Sequence, residues 1–493
     1  SSEWPQWYGA LKREMDGQVA PGVWKVVDRP KGKTVLGTKT VFKRKVGQDG
    51  RVEKYKCRFG AKGFHQIKGI HCQESSSPTP TQSSIRIALA VMALLDWKGR
   101  QLDVEMEFLE ADVTEQLYVE LPDGYRDSPS QAERLQKATD GLMHTGLLWS
   151  KKFSGELIAS GFERSQTDPC VFCRKHLGKV GDIIVLYVDD LLVLSETKQD
   201  EHQALEDLRS SFPIKDLGEI SYYLGCHITR DRKARTVMFD QQRYAQTVNE
   251  RFEIRKTSVI PVPTGQSPLS KADGPQNDAG ITEVHGIPYR ETVGALLWVA
   301  NMTRPDLAYT AHTLTKFGDN PGPEHWKTVM KALQYLKRTA SLGVTYGGAT
   351  EDMKLSAWVD ADHASCPDTR RSVSGGAVML GGGAISWFSR AQRITAAATS
   401  ESEYVALAEI VSELRFTRQV KAFMVPPIDY NIRVHEDSAM AENMFNSRRT
   451  RHIDVKHHMV RDAVNGGIVR VEYVKSREQH ADVRTKAVDA KSF

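Results

Sequence analysis

The sequence predicts an α+β chain of several domains, on three observations. Its 493 residues are enough for two to four domains with cores of their own. Short strand-like runs mix with helix-periodic stretches through the first half, and helical patterns take over from Tyr289 to Thr339. From Lys354 onward the order is three strands, helix, strand, helix, strand, helix, which describes a mixed α/β domain.

The elements follow in chain order. Trp4 to Met15 has apolar residues at helical spacing, and Pro21-Gly22 stops it. Val23–Val27, Thr38–Val46 and Val52–Phe59 read as strands separated by Gly-containing turns. A helix is expected over Ser83–Leu95. The stretch Pro261–Pro288, rich in Pro, Gly, Asp and Ser, is the linker candidate. Beyond it, Lys354–Val359 is a strand, and Ser374–Leu380 with Ala384–Phe388 form a hairpin around three glycines. Ser400–Phe423 is a helix with Tyr404, Leu407, Ala408 and Val411 on one face. Ile432–His435 and Ile468–Val474 are strands, and a short helix lies near Asp482. No short-period repeat is present.

Hydrophobic residues make up 40% and charged residues 26%, as in ordinary globular chains, and no run of eighteen apolar residues occurs, so no membrane partner is expected. The start, Ser1-Ser2-Glu3-Trp4, lacks both a secretory pattern and an initiator Met, so the chain reads as excised from something longer. Six cysteines make no disulfide framework and suit a reducing compartment. Cys170 and Cys173 are read as buried or idle thiols, since no second ligand pair follows at zinc spacing. Net charge is only +5, yet fourteen Lys or Arg fall between Lys25 and Lys68 against Asp28, Asp49 and Glu53. A second basic stretch holds Arg448, Arg449, Arg451, Lys456 and Arg461. Such patches attract phosphate backbones, although a solvated charged face is the more general reading.

The most informative segment is Ile183–Leu194, where two apolar runs flank Asp189-Asp190. As a hairpin this sets two like charges at a tight turn, which costs stability unless a cation neutralises them. An Asp-Asp pair chosen for turn propensity alone is the bland alternative. Gln101-Leu102-Asp103-Val104 supplies a third acid at a possible strand end. Two-metal phosphoryl transfer needs several carboxylates around ions about 3.5–4 Å apart.

Tyr187-Val188-Asp189-Asp190 resembles the polymerase signature of reverse transcriptases, and its surroundings resemble those of copia-type long-terminal-repeat retrotransposons. The matching segments include Tyr55-Lys56-Cys57-Arg58, Ala61-Lys62-Gly63-Phe64, Gln101–Val104, Pro122-Asp123-Gly124-Tyr125, Asp168–Phe172, Tyr223-Leu224-Gly225, Thr303-Arg304-Pro305-Asp306 and His325-Trp326. They span nearly the whole chain. The resemblance implies a right-hand polymerase, with fingers and palm over residues 1–260 and a linker and thumb or connection over 261–347. A mixed-sheet ribonuclease H-like domain would occupy 348–493. Asp103, Asp189 and Asp190 would hold magnesium, two ions per site, with manganese as the alternative. Arg58, with Lys56 or Lys62, would face the nucleotide triphosphate. Phe108 would lie under the sugar and exclude a 2′ hydroxyl; an ordinary core aromatic is its plainer role.

In the last domain Asp360, Glu401, Asp437 and Asp482 are the acids at the ends its topology would use, a set suited to a two-metal nuclease. Singly, each reads as a solvated acid or a helix N-terminal residue. Together with Ile385-Ser386-Trp387 and Arg484-Thr485-Lys486 they resemble the family's ribonuclease H. Asp362 and Glu403, two residues on from Asp360 and Glu401, are set aside as near misses. His452, His457 and His458 are expected in phosphate-facing or structural roles.

The expected activity is RNA-directed DNA polymerisation, a nucleotidyl transfer, with hybrid-specific cleavage. The expected partners are an RNA template, a DNA primer, the RNA–DNA hybrid and dNTPs, together with capsid, protease and integrase from the same polyprotein. The implied setting is a cytoplasmic virus-like particle, with the nucleus as the alternative. Several departures touch the chemistry. Glu107 stands where the family usually has a small residue, and His144 stands where a Gln would contact the nucleotide. Phe59-Gly60 replaces Leu-Val, Cys57 replaces Ala, and the segment after Asp437 is short and lacks the usual Asn. Two anions about 4 Å apart repel by roughly 4 kcal/mol at an effective dielectric of 20, several hundred-fold or more in affinity. The alternative readings are therefore a decayed copy that folds and binds nucleic acid with weak or no polymerase activity, and a host-adopted scaffold.

Overall fold

The computed structural model describes residues 3–18, 22–46, 52–121, 128, 130–254, 260–265, 267–348, 352–437 and 454–488. They divide into two compact units, Ser1–Pro80 with Arg100–Gly218, and Thr81–Gly99 with Glu219–Phe493.

In the first unit, the helix Trp4–Gln18 packs on the antiparallel hairpin Thr38–Val46 and Val52–Ala61. The pleat sorts this hairpin by parity. Cys57, Phe59 and Ala61 are buried, while Arg58 is exposed and Lys56 half-exposed. Trp7 meets Phe42 and Tyr55 edge-on, and Glu14 accepts from the Phe59 amide at 3.0 Å. A six-stranded sheet carries the rest, in the order Ile214–Glu219, Lys98–Val104, Asp190–Ser195, Lys179–Tyr187, Val171–His176, Glu163–Arg164. Leu102, Val104, Ile184, Leu186, Leu191 and Val193 from this sheet share one core with Trp149, Phe153 and Leu157 of helix Thr145–Ala159 and with Leu205 and Leu208 of helix Lys198–Ser211.

In the second unit, the helix Gln82–Leu94 is buried from Ser83 onward. It packs against the sheet strands Thr236–Asp240 and Gly343–Gly347, the strand Gly383–Ala391 and the helix Thr399–Met424. Helices Gln242–Arg251, Tyr289–Met302, Ala308–Thr315 and Pro323–Arg338 share a second core. The last sheet has the order Gly383–Ala391, Val373–Leu380, Ser356–Asp362, Ile432–Glu436, Val469–Tyr473. Its first three strands are antiparallel and its last two pairings parallel. This is the mixed sheet the sequence predicts. Strand Ser356–Asp362 reaches three residues further than expected, so Asp360 lies within the ladder, opposite Gly375.

The Pro261–Pro288 stretch contains ordered structure. It holds the turn Lys271–Asp273 and the helix Asp278–Val284. Asp368 accepts from the Ser270 hydroxyl at 2.6 Å and from the Lys271 amide, while Ser270 caps the turn. All six cysteines are buried and free. Burial pushes the Cys170 thiol up to about 12 and Cys173 well above its ordinary range, so both are inert at neutral pH. No helix among the described residues is long and apolar enough to cross a membrane.

Candidate active sites

The hairpin Lys179–Tyr187 and Asp190–Ser195 closes with Tyr187 opposite Asp190, leaving Val188 and Asp189 as its tip. Val188 sits at φ +57°. For a β-branched residue that conformation costs of order 1–3 kcal/mol and persists only where the surroundings impose it. Two hydrogen bonds do so. The Trp149 indole donates to the Val188 carbonyl at 2.6 Å, and the Val104 amide donates to the Asp189 carbonyl at 3.0 Å. The second bond places the strand bearing Asp103 directly beside the acidic tip. Leu102 and Val104 are buried on one face of that strand, while Gln101 and Asp103 take the other. Gln101 reaches Asp190 at 3.5 Å. The strand bearing Asp103 and the tip bearing Asp189 and Asp190, from two distant stretches of sequence, are thus neighbours, although among the described residues their three carboxylates do not gather within 4.8 Å of one another.

Glu107 belongs to the same neighbourhood. Burial, then the Asp189 carboxylate, pushes its carboxyl up to about 7, with Asp140 adding to the rise and Arg58 opposing it. Burial also raises Asp140, against the pull of Arg58 and Lys56. The predicted triphosphate-facing cations therefore stand close to the acidic tip. Asp140 was missed in the sequence. Its only signal was the Asp140-Gly141 pair, and what positions it is tertiary. The Ala61 amide donates to the Asp140 carbonyl at 2.8 Å, and a Cβ at Gly60 would meet that carbonyl oxygen at 2.5 Å. Gly60, a departure from the family pattern, leaves room for this approach.

Phe108 is half-exposed and packs against the Trp149–Phe153 core. Lys62 is half-buried, its amide bound to the Gly37 carbonyl at 2.7 Å. His144 differs from expectation. Its side chain is buried beside Glu115 at 3.6 Å, and burial lowers its pKa. It precedes helix Thr145–Ala159 and faces the interior, where a nucleotide contact would need it exposed.

The second site is tighter. Asp360, Asp437 and Asp482 each offer an oxygen within 4.8 Å of the others, the one such group among the described residues. Burial pushes Asp360 up to about 6, against the opposing pull of Lys486 and Thr485, with Asp482 and Asp437 adding to the rise. The Thr485 hydroxyl donates to Asp360. Three hard oxygen donors that repel one another suit a hard divalent cation.

The glutamate beside this cluster is Glu403, two residues after the one expected. Glu401 folds back so that its carboxylate accepts from the Ala397 amide at 2.6 Å, serving the helix start. Two residues turn a helix through roughly 200°, which carries Glu403 into the interior. Glu403 is 5% exposed, and its carboxyl is pushed up to about 10 by burial and then by Asp360, Glu436 and Asp437. Glu436, also buried, is a further acid not singled out in the sequence. Asp362 is half-exposed at the strand end. Pro122–Tyr125, Arg448, Arg449, Arg451 and His452 lie outside the described residues, as do the side chains of Lys456, His457 and His458.

Other matching motifs are scaffolding. Arg304 forks onto Asp306 at 2.6 and 2.9 Å and onto the Thr339 carbonyl, and the Tyr335 hydroxyl donates to Asp306. His325 accepts from the Gly322 amide, approaches the Ser270 carbonyl at 2.9 Å and stacks on Phe317. Arg86 lies over the Trp387 ring at 3.8 Å and donates to the Met302 carbonyl at a helix end.

Residues 21–266 match the family model described as reverse transcriptase (RNA-dependent DNA polymerase). The chain is 34% identical to the retrovirus-related Pol polyprotein from transposon TNT 1-94 of Nicotiana tabacum, over 98% of its own length and 37% of that protein. The chain belongs to the reverse transcriptase family of copia-type retrotransposon polyproteins. The Pol polyprotein from transposon RE1 of Arabidopsis thaliana is 31% identical over 99% of the chain and 33% of the relative. This family member thus spans about a third of the length of the curated relatives it matches. Its fold is also that of a foamy viral protease-reverse transcriptase solved with an RNA/DNA hybrid, at a TM-score of 0.52 and 11% identity, covering 98% of this chain and 55% of that one. A right-hand polymerase followed by a ribonuclease H-like domain is therefore the architecture.

Proposed function

We propose that this chain is an RNA-directed DNA polymerase with an attached ribonuclease H, acting on an RNA template, a DNA primer, dNTPs and the resulting hybrid. The observation that carries the reading is the bond from the Val104 amide to the Asp189 carbonyl, which sets the strand bearing Asp103 beside the hairpin tip bearing Asp189 and Asp190. Fingers and palm would lie within residues 1–260, the connection within 261–347 and the nuclease within 348–493.

Asp103, Asp189 and Asp190 would hold magnesium at the first site, and Asp360, Glu403, Asp437 and Asp482 at the second. The ions would supply charge neutralisation at the transferring phosphate and activation of the attacking oxygen. In the polymerase, the primer 3′ hydroxyl attacks the α-phosphate in line and pyrophosphate leaves. Arg58 and Lys56 stabilise the charge gathering on the triphosphate, and Phe108 packs beneath the sugar. In the nuclease, water attacks the RNA strand of a hybrid read through its shape and 2′ hydroxyls.

A folded remnant that binds nucleic acid without copying it is the competing reading, favoured by the buried His144 and by Glu107 beside Asp189. Primer extension on an RNA template with magnesium separates the two. Extension that Asp190→Asn abolishes supports the polymerase. If neither the chain nor its Glu107→Ala variant extends, while hybrid cleavage sensitive to Asp437→Asn persists, only the nuclease remains.

A further inference from the structure

Lys486 places an ammonium inside the acidic cluster of the second unit. Its Nζ lies 2.9 Å from Asp482 and 3.8 Å from Asp360. The short turn Asp482–Arg484 builds this arrangement. The amides of Thr485 and Lys486 both bond back to the Asp482 carbonyl at 3.1 Å, and the buried Arg484 side chain donates to the His480 carbonyl. One turn thus delivers a carboxylate, a hydroxyl on Asp360, and a cation between two of the three acids that converge within 4.8 Å.

We propose that Lys486 is a built-in counter-cation of this cluster, which holds Asp360 and Asp482 together in the ion-free protein and sets the divalent metal concentration at which the site fills. The inference rests on the reading of the cluster as a metal site. An ammonium near a divalent ion repels it, so loading requires Lys486 to leave Asp482. Its side chain is 40% exposed, and a four-carbon stem can swing into water at little cost. Lys486 is on this view a positioning residue that lowers metal affinity while keeping the empty site ordered.

The test is calorimetric titration of the full chain with Mn2+, assigning to this cluster the uptake that Asp437→Asn removes. Lys486→Met should bind about tenfold more tightly at that component, and Lys486→Arg should stay near the parent. The metal-free Lys486→Met chain should also melt earlier, with a larger rise in Tm on adding Mn2+. Unchanged or weaker Mn2+ binding in a folded Lys486→Met chain overturns the inference and leaves the metal site standing. A parent chain with no uptake sensitive to Asp437→Asn overturns the metal-site reading beneath it. Lys486→Gln, closer in polarity, serves if the Met variant does not fold.

Discussion

The Trp149 indole hydrogen-bonds the Val188 carbonyl at 2.6 Å, so a side chain from the helix behind the palm sheet holds the tip of the acidic hairpin in place. Val188 at φ +57° pulls against that tether. Trp149→Phe keeps most of the packing and removes the bond. It should destabilise the first unit by about 1 kcal/mol and cut primer extension on the order of tenfold, while hybrid cleavage is unchanged. Extension equal to the parent would show that the tether does not position the acids.

Glu401 and Glu403 divide two tasks that the sequence placed on one residue. Glu403→Gln should lower hybrid cleavage by about 100-fold or more with little effect on primer extension. Glu401→Gln should cost about 1 kcal/mol at the helix start and leave cleavage within a few-fold. Cleavage assays on both variants decide it, and the reverse ranking would return the role to Glu401.

Glu107 stands beside Asp189 and Arg58, and on the proposed polymerase reading any negative charge it carries would oppose a bound triphosphate. Glu107→Ala should lower the KM for dNTPs about tenfold or more with a smaller change in kcat. Steady-state extension at varied dNTP is the measurement. A KM that does not move would place Glu107 away from the triphosphate.

Glu133 is fully buried on the strand Gln131–Leu135, and burial pushes its carboxyl up to about 9. The fold accommodates the protonated form. The sign follows: stability is intact below the ordinary carboxylate range near 4.5 and falls as pH rises towards 9. By pH 7 the loss is about 3 kcal/mol. Glu133→Gln should therefore be more stable than the parent at pH 7 and nearly equal to it at pH 4.5. Urea unfolding at both pH values tests this, and a pH-independent difference would rule out titration of Glu133 as its source.

Much of this was legible in the chain itself. The apolar runs around Asp189-Asp190 announced a hairpin, and the strand expected over Val52–Phe59 falls within the observed Val52–Ala61. The less legible parts share a cause. Asp140 is positioned by a backbone contact with a strand some eighty residues earlier, which no local pattern encodes. His144 lies in the interior beside Glu115, a burial set by tertiary packing that no local pattern encodes. The ordered turn within Pro261–Pro288 depends on Asp368 and His325, both remote in sequence.

Local order and residue type, read along the chain, determined that this protein carries two sets of acids on α+β domains and belongs to the reverse transcriptase family of retrotransposon polyproteins. Which acids converge was decided only in three dimensions. Periodicity reports the face a residue takes on its own helix or strand, but the starting angle of a helix is set by the capping bond at its first turn. Here the bond from the Ala397 amide to Glu401 turned Glu403 towards Asp360, and a late turn brought Lys486 in among the same acids.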